Sequence, residues 1–112
     1  MRDKMKSLTR KEEIILLSIL HLKKEAYLIA IVDHLSRITG TRVSLTSVHL
    51  PLTRLEKAGL IESEFGESTA VRGGRRKKIY QLTKWGFEVL AEYKRVSDTL
   101  WESYKKISFP RK

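Results

Sequence analysis

Cysteine is absent from the 112 residues, and with it go disulfides, thiolate nucleophiles and zinc-finger ligand sets. Stability has to come from packing. A chain of this size holds one modest core, so a monomer is only marginally stable and a partner subunit is expected. Acid is scarce as well: 13 Asp and Glu stand against 23 Lys and Arg, for a formal net charge of +10. That excess sets up a positive potential that draws polyanions, nucleic acid first and an anionic membrane surface second. No apolar run approaches the roughly 20 residues that span a bilayer, and Met1 to Arg10 is charged with no hydrophobic stretch behind it, so a cytoplasmic protein is expected. A helix with a basic face opposite a strongly apolar one is also missing, which argues against membrane adsorption. His21, His34 and His49 fall on three different predicted helices and no His-x-x-x-His pair occurs. Neither an enzyme nor a bound cofactor or metal is therefore expected.

The order of elements is legible from caps and periodicity. Thr9 and Glu12 have the form of a capping box, and Ile14, Leu17, Ile19, Leu20 and Leu22 supply a broad apolar face for a first helix ending near Lys23. Leu28, Ile31, Val32, Leu35 and Ile38 predict a second helix over Tyr27 to Thr39, closed by Gly40. Ser44 can cap a third helix to about Ala58, with Leu45, Val48, Leu52 and Leu55 recurring every three or four residues. Pro51 inside it predicts a kink, or alternatively a shorter helix that starts at Pro51 itself. Leu60 to Phe65 and Lys77 to Leu82 read as antiparallel strands, with Ile61 and Phe65, then Tyr80 and Leu82, on single faces. Thr83 can cap a long last helix to about Ile107.

Three helices followed by a two-stranded wing form the winged variant of the helix-turn-helix plan, whose third helix enters the DNA major groove. The expected fold is therefore mainly α with a small β-wing, a winged helix-turn-helix over residues 1–83 followed by a C-terminal dimerisation helix and tail over 84–112. The wing holds Arg72, Gly73, Gly74, Arg75, Arg76, Lys77 and Lys78, five cations around two glycines, across the end of the connection and the start of the second strand. They have few nearby acids to pair with, and phosphates are their natural ligand. On the third helix Thr46, Ser47 and His49, then Thr53 and Arg54, can meet base edges or phosphates, and the cap Ser44 is counted with them.

The stretch from Val48 to Ile61, reading VHLPLTRLEKAGLI, and the stretch from Arg72 to Thr83, reading RGGRRKKIYQLT and followed by Gly86, resemble the PadR transcriptional regulators. The resemblance spans most of the chain. It implies a dimeric repressor of a palindromic operator whose C-terminal helix pairs with its partner's, and it implies that Tyr27 lies near the DNA backbone. Two positions depart from the family's pattern. His49 stands where a tyrosine is usual on the recognition helix. Ser97 stands where drug-binding members carry a tryptophan, with Trp101 one turn later.

The last helix has an argument of its own. Val89, Tyr93, Val96, Leu100 and Ile107 keep a four-three spacing broken only by Ser103, the pattern of a seam between two helices. A homodimer is expected to bury it, with Trp101 and Tyr104 beside it. Tyr93, Ser97, Trp101 and Tyr104 are also candidates to line a pocket for a small-molecule effector, although aromatic residues at helical spacing more often simply pack. The alternative to a double-stranded DNA-binding regulator is a basic winged-helix module that binds RNA or a protein complex. A two-fold dimer favours paired half-sites on duplex DNA.

Overall fold

A computed structural model describes residues 7–66 and 77–107. Four helices and one antiparallel hairpin follow in the predicted order: α1 (Arg10–Leu22), α2 (Leu28–Thr39), α3 (Leu45–Lys57), β1 (Ile61–Phe65), β2 (Lys78–Leu82) and α4 (Lys84–Lys106). A 3-10 turn, Lys23–Glu25, joins α1 to α2. Side-chain caps set three of the four helix starts. Thr9 and Glu12 exchange bonds across the first turn of α1, the Glu12 N–H donating to Thr9 Oγ1 and the Thr9 N–H to Glu12 Oε1. Ser44 accepts from the Ser47 N–H and Thr83 from the Gly86 N–H, each satisfying a donor that the helix leaves without a partner. Gly40, left-handed at φ 74°, ends α2 as expected. α3 runs unbroken through Pro51, which excludes the shorter helix.

The core gathers around α1, which touches α2, α3, α4 and β2. Ile15, Leu16 and Ile19 are its deepest side chains, so the inward face is rotated from the predicted one, and Leu17 is left 47% exposed. A helix surrounded by several neighbours buries more than one stripe, and its own periodicity does not say which stripe stays outside. From α2 come Ile31 and Leu35, from α3 Val48, Leu52 and Leu55, and from the hairpin Ile61, Tyr80 and Leu82. Phe65 shares the parity of Ile61 but is 62% exposed, because it pairs with Lys78 at the far end of the hairpin, beyond the helices.

Two junctions hold the parts in place. The Tyr80 N–H donates to the Ala26 carbonyl at 2.9 Å and Tyr27 bridges Ile79, so β2 is pinned to the start of α2. At the other, the Thr83 N–H and hydroxyl donate to the carbonyls of Leu60 and Gly59, which presses α4 onto the turn between α3 and β1. Gly86 makes that approach possible, since a Cβ there would stand 2.2 Å from the Leu60 carbonyl oxygen. Among the described residues no helix is long and apolar enough to cross a membrane.

Candidate nucleic-acid interface

α3 divides into two faces. Val48, Leu52 and Leu55 are buried, while Thr46, His49, Leu50 and Thr53, spaced three and four residues apart, share the exposed side. Sequence reasoning had passed over Leu50, 57% exposed among polar neighbours; its apolar type at an otherwise polar helical position was the signal. The hydroxyls along this helix are partly engaged. Ser47 Oγ donates to the Ser44 carbonyl and Thr53 Oγ1 to that of His49, which leaves the imidazole of His49 and the hydroxyl of Thr46 as outward polar groups.

Arg54 is turned differently from expectation. Its Nε and Nη2 both donate to Glu12 Oε2, at 3.3 and 3.1 Å, and the carboxylate is nearly buried while the guanidinium is not. Glu12 thus serves the α1 cap with one oxygen and α3 with the other. This long-range pair was invisible to spacing, and it engages Arg54 in holding two helices together.

The base of the hairpin is tied to both α2 and α3. Lys77 Nζ lies 4.2 Å from the centre of the Tyr27 ring, and Tyr27 caps α2. Lys78 pairs with Glu56 of α3 at 3.7 Å, and the same carboxylate accepts from Ser63 Oγ of β1 at 2.7 Å. Lys77, Lys78 and Tyr27 are therefore brought together beside α3. Arg72, Gly73, Gly74, Arg75 and Arg76 lie outside the described residues.

A groove of about 630 Å³ opens where the start of α1, the turn after α2 and the start of α3 meet. Ser44 and Ser47 line it together with Arg10, Lys11 and Arg42, none of which had been singled out. Their convergence depends on α1 lying against the α2–α3 turn, which no local pattern reports.

On α4 the predicted seam divides along its length. Val89 is only 4% exposed within its own protomer, because it and Leu90 complete the core. That corrects its assignment to an intersubunit face. Tyr93 is half-buried, and its hydroxyl accepts from the Leu8 N–H. From Val96 onward the seam is more open: Val96, Leu100 (69% exposed), Trp101, Tyr104 and Ile107 are all exposed. Tyr93, Ser97 and Trp101 line a groove of about 330 Å³ with Val96, Leu100 and the carboxylates of Glu13 and Glu92. Tyr104 stands edge-on to Trp101, ring centres 5.0 Å apart.

The sequence profile of the PadR-like transcriptional regulator family matches residues 16–92, from the inner half of α1 through α3 and the hairpin to the buried start of α4. The chain belongs to the PadR-like family. Its members are transcriptional regulators, not enzymes. Among solved structures, a PadR-like transcription factor from Bacteroides fragilis is 30% identical, with 88% of this chain and 89% of that one covered and a TM-score of 0.67. A PadR family transcriptional regulator from Eggerthella lenta is 26% identical over 87% and 82% of the two chains, TM-score 0.64. A PadR-like regulator from Bacillus cereus, 24% identical over 88% and 96%, shares the fold at a TM-score of 0.62. No curated protein matches the chain. The winged fold with its long last helix is thus the PadR-like fold, and the +10 charge fits a DNA-binding regulator.

Proposed function

We propose that this PadR-like chain is a sequence-specific, double-stranded DNA-binding repressor that acts in the cytoplasm as a homodimer on a palindromic operator. The observation that carries the reading is the exposed polar side of α3, anchored through Glu56 to the hairpin base and through Glu12 to α1. Thr46, His49 and Thr53 meet base edges there. Ser44, Ser47, the free face of Arg54, Tyr27, Lys77, Lys78 and the segment Arg72, Gly73, Gly74, Arg75 and Arg76 hold the sugar-phosphate backbone. Residues 1–83 form the DNA-binding unit and 84–112 the dimerising one, with Val96, Leu100, Trp101, Tyr104 and Ile107 against the partner. A flat effector seated by Tyr93, Ser97, Trp101 and Tyr104 relieves repression by shifting the population of DNA-competent dimers.

Selection of bound duplexes from a random pool tests the reading directly, and a palindromic motif is the expected product. On the selected duplex, His49→Ala erodes the preference over random DNA by about 1–3 kcal/mol, as loss of a base contact does. Arg75→Ala with Arg76→Ala instead weakens every duplex alike and flattens the salt dependence. Equal affinity of the native chain for every duplex, or tighter binding to single-stranded RNA, sinks the proposal.

A further inference from the structure

The groove between α1, the α2–α3 turn and the start of α3 is lined by neither Lys77 nor Lys78 and carries three cations of its own. Arg10 and Lys11 come from the first turn of α1 and Arg42 from the turn after α2. Among the described residues no Asp or Glu lines it. Arg10 has a long contact to Glu13 at 3.5 Å with its own side chain 80% exposed, and neither Lys11 nor Arg42 has an ion pair among the described residues. In a chain with many exposed pairs of opposite charge, such as Lys94 with Asp98 and Arg95 with Glu92, three converging cations without a shared acid are an arrangement for an outside anion.

Hydroxyls complete the rim. Ser44 Oγ accepts the Ser47 N–H, so its own proton is available to an acceptor in the groove. Thr39 and Thr41 lie on the opposite side, their hydroxyls 3.4 Å apart. Ile14, Leu35 and Val43 form the floor. Because Ser44 and Ser47 belong to the first turn of α3, an anion held here lies at the shoulder of the helix whose exposed side we assign to base reading.

We infer that this groove seats a backbone phosphate of duplex DNA, with Arg10, Lys11 and Arg42 neutralising it and Ser44 donating a hydrogen bond. The inference rests on the DNA-binding reading and deepens it: α3 is gripped on two sides, by the hairpin base near one end, where Lys78 pairs with Glu56, and by this cluster near the other. Two separated grips fix the angle at which a helix lies in the major groove, which a single one does not.

The test measures affinity for a mixed-sequence duplex as a function of salt, so that no operator is needed. Each phosphate contact contributes about one unit to the slope of log affinity against log salt. The double variant Lys11→Gln with Arg42→Gln is expected to lower that slope by about 1, with native far-UV circular dichroism, and Arg42→Lys is expected to keep it. Lys105→Gln with Lys106→Gln removes the same charge from the far end of α4 and is expected to leave the slope unchanged. A native slope in the Lys11 and Arg42 variant overturns the groove while leaving the DNA reading in place. An equal fall in the Lys105 and Lys106 control also overturns it, since the effect is then one of overall field. A native protein that binds no duplex overturns both readings.

Discussion

His34 stands in a partly buried site shared with a second histidine. Its Nδ1 lies 2.9 Å from the buried Ser18 hydroxyl, and its ring stacks on His21 with centres 4.7 Å apart. Burial first, then the neighbouring His21 and Arg37, hold its imidazole below the ordinary value of 6.5, with Asp33 opposing. A histidine whose pKa is depressed by folding contributes stability that is present above the unfolded value and is lost as pH falls through the folded one, since the unfolded chain takes up the proton more readily. Denaturant midpoints are therefore expected to fall as pH is lowered through 6.5 and below, and His34→Gln is expected to flatten that dependence. The same pH profile in the variant as in the native protein removes His34 from the account. Nothing in the sequence pointed to this contact, because the two histidines sit on different helices and meet only when α1 and α2 pack.

At the scale of elements, the seat of α4 is the most sharply defined joint. With the Leu60 carbonyl oxygen 2.2 Å from where a Cβ at position 86 would sit, Gly86→Ala forces either α4 or the α3–β1 turn to move. The cost is expected to be about 1–3 kcal/mol, the range for overpacking a filled site. Urea unfolding reads it directly, and a native midpoint in the variant means that the joint gives way freely. Helix starts were legible because their determinants are local: Thr9, Ser44 and Thr83 each cap within three residues of themselves. What escaped was whatever depends on a second element. The inward face of α1 turned on four neighbours, Arg54 was claimed by Glu12 from 42 positions away, and Val89 fitted a seam by spacing while the core took it. Of the candidate interface, the α3 positions came from one helix and were readable. The Arg10, Lys11 and Arg42 cluster comes from two segments far apart in sequence and was not.

For the whole molecule, the far half of α4 decides the assembly. The helix has 23 residues, about 34 Å, and its last three turns carry Leu100, Trp101, Tyr104 and Ile107 into solvent. An exposed apolar stripe of this kind is a surface at which partners dock, and the homodimer proposed above would cover it. Val96→Glu with Leu100→Glu, both outside the protomer's own core, is expected to give a folded monomer in sedimentation and to lose most operator affinity, since each half-site is then held alone. The same substitutions are expected to abolish any quenching of tryptophan fluorescence by planar aromatic cations, because the groove they line is incomplete without its second half. A variant that still sediments as a dimer would falsify the seam.

The base of the hairpin has a different kind of consequence. Its register is fixed below the connecting segment: the Gly66 N–H donates to the Lys77 carbonyl at 2.8 Å, Tyr27 bridges Ile79, and Tyr80 is bonded to Ala26. Residues 67–76 can therefore change in number without shifting a single pair beneath them. Closure entropy grows only with the logarithm of loop length, so doubling that segment costs about 0.6 kcal/mol, less than one modest core substitution. Insertions and deletions in that segment are therefore inexpensive for the fold. Helix α3, which the proposed function assigns to base reading, stays where the core put it.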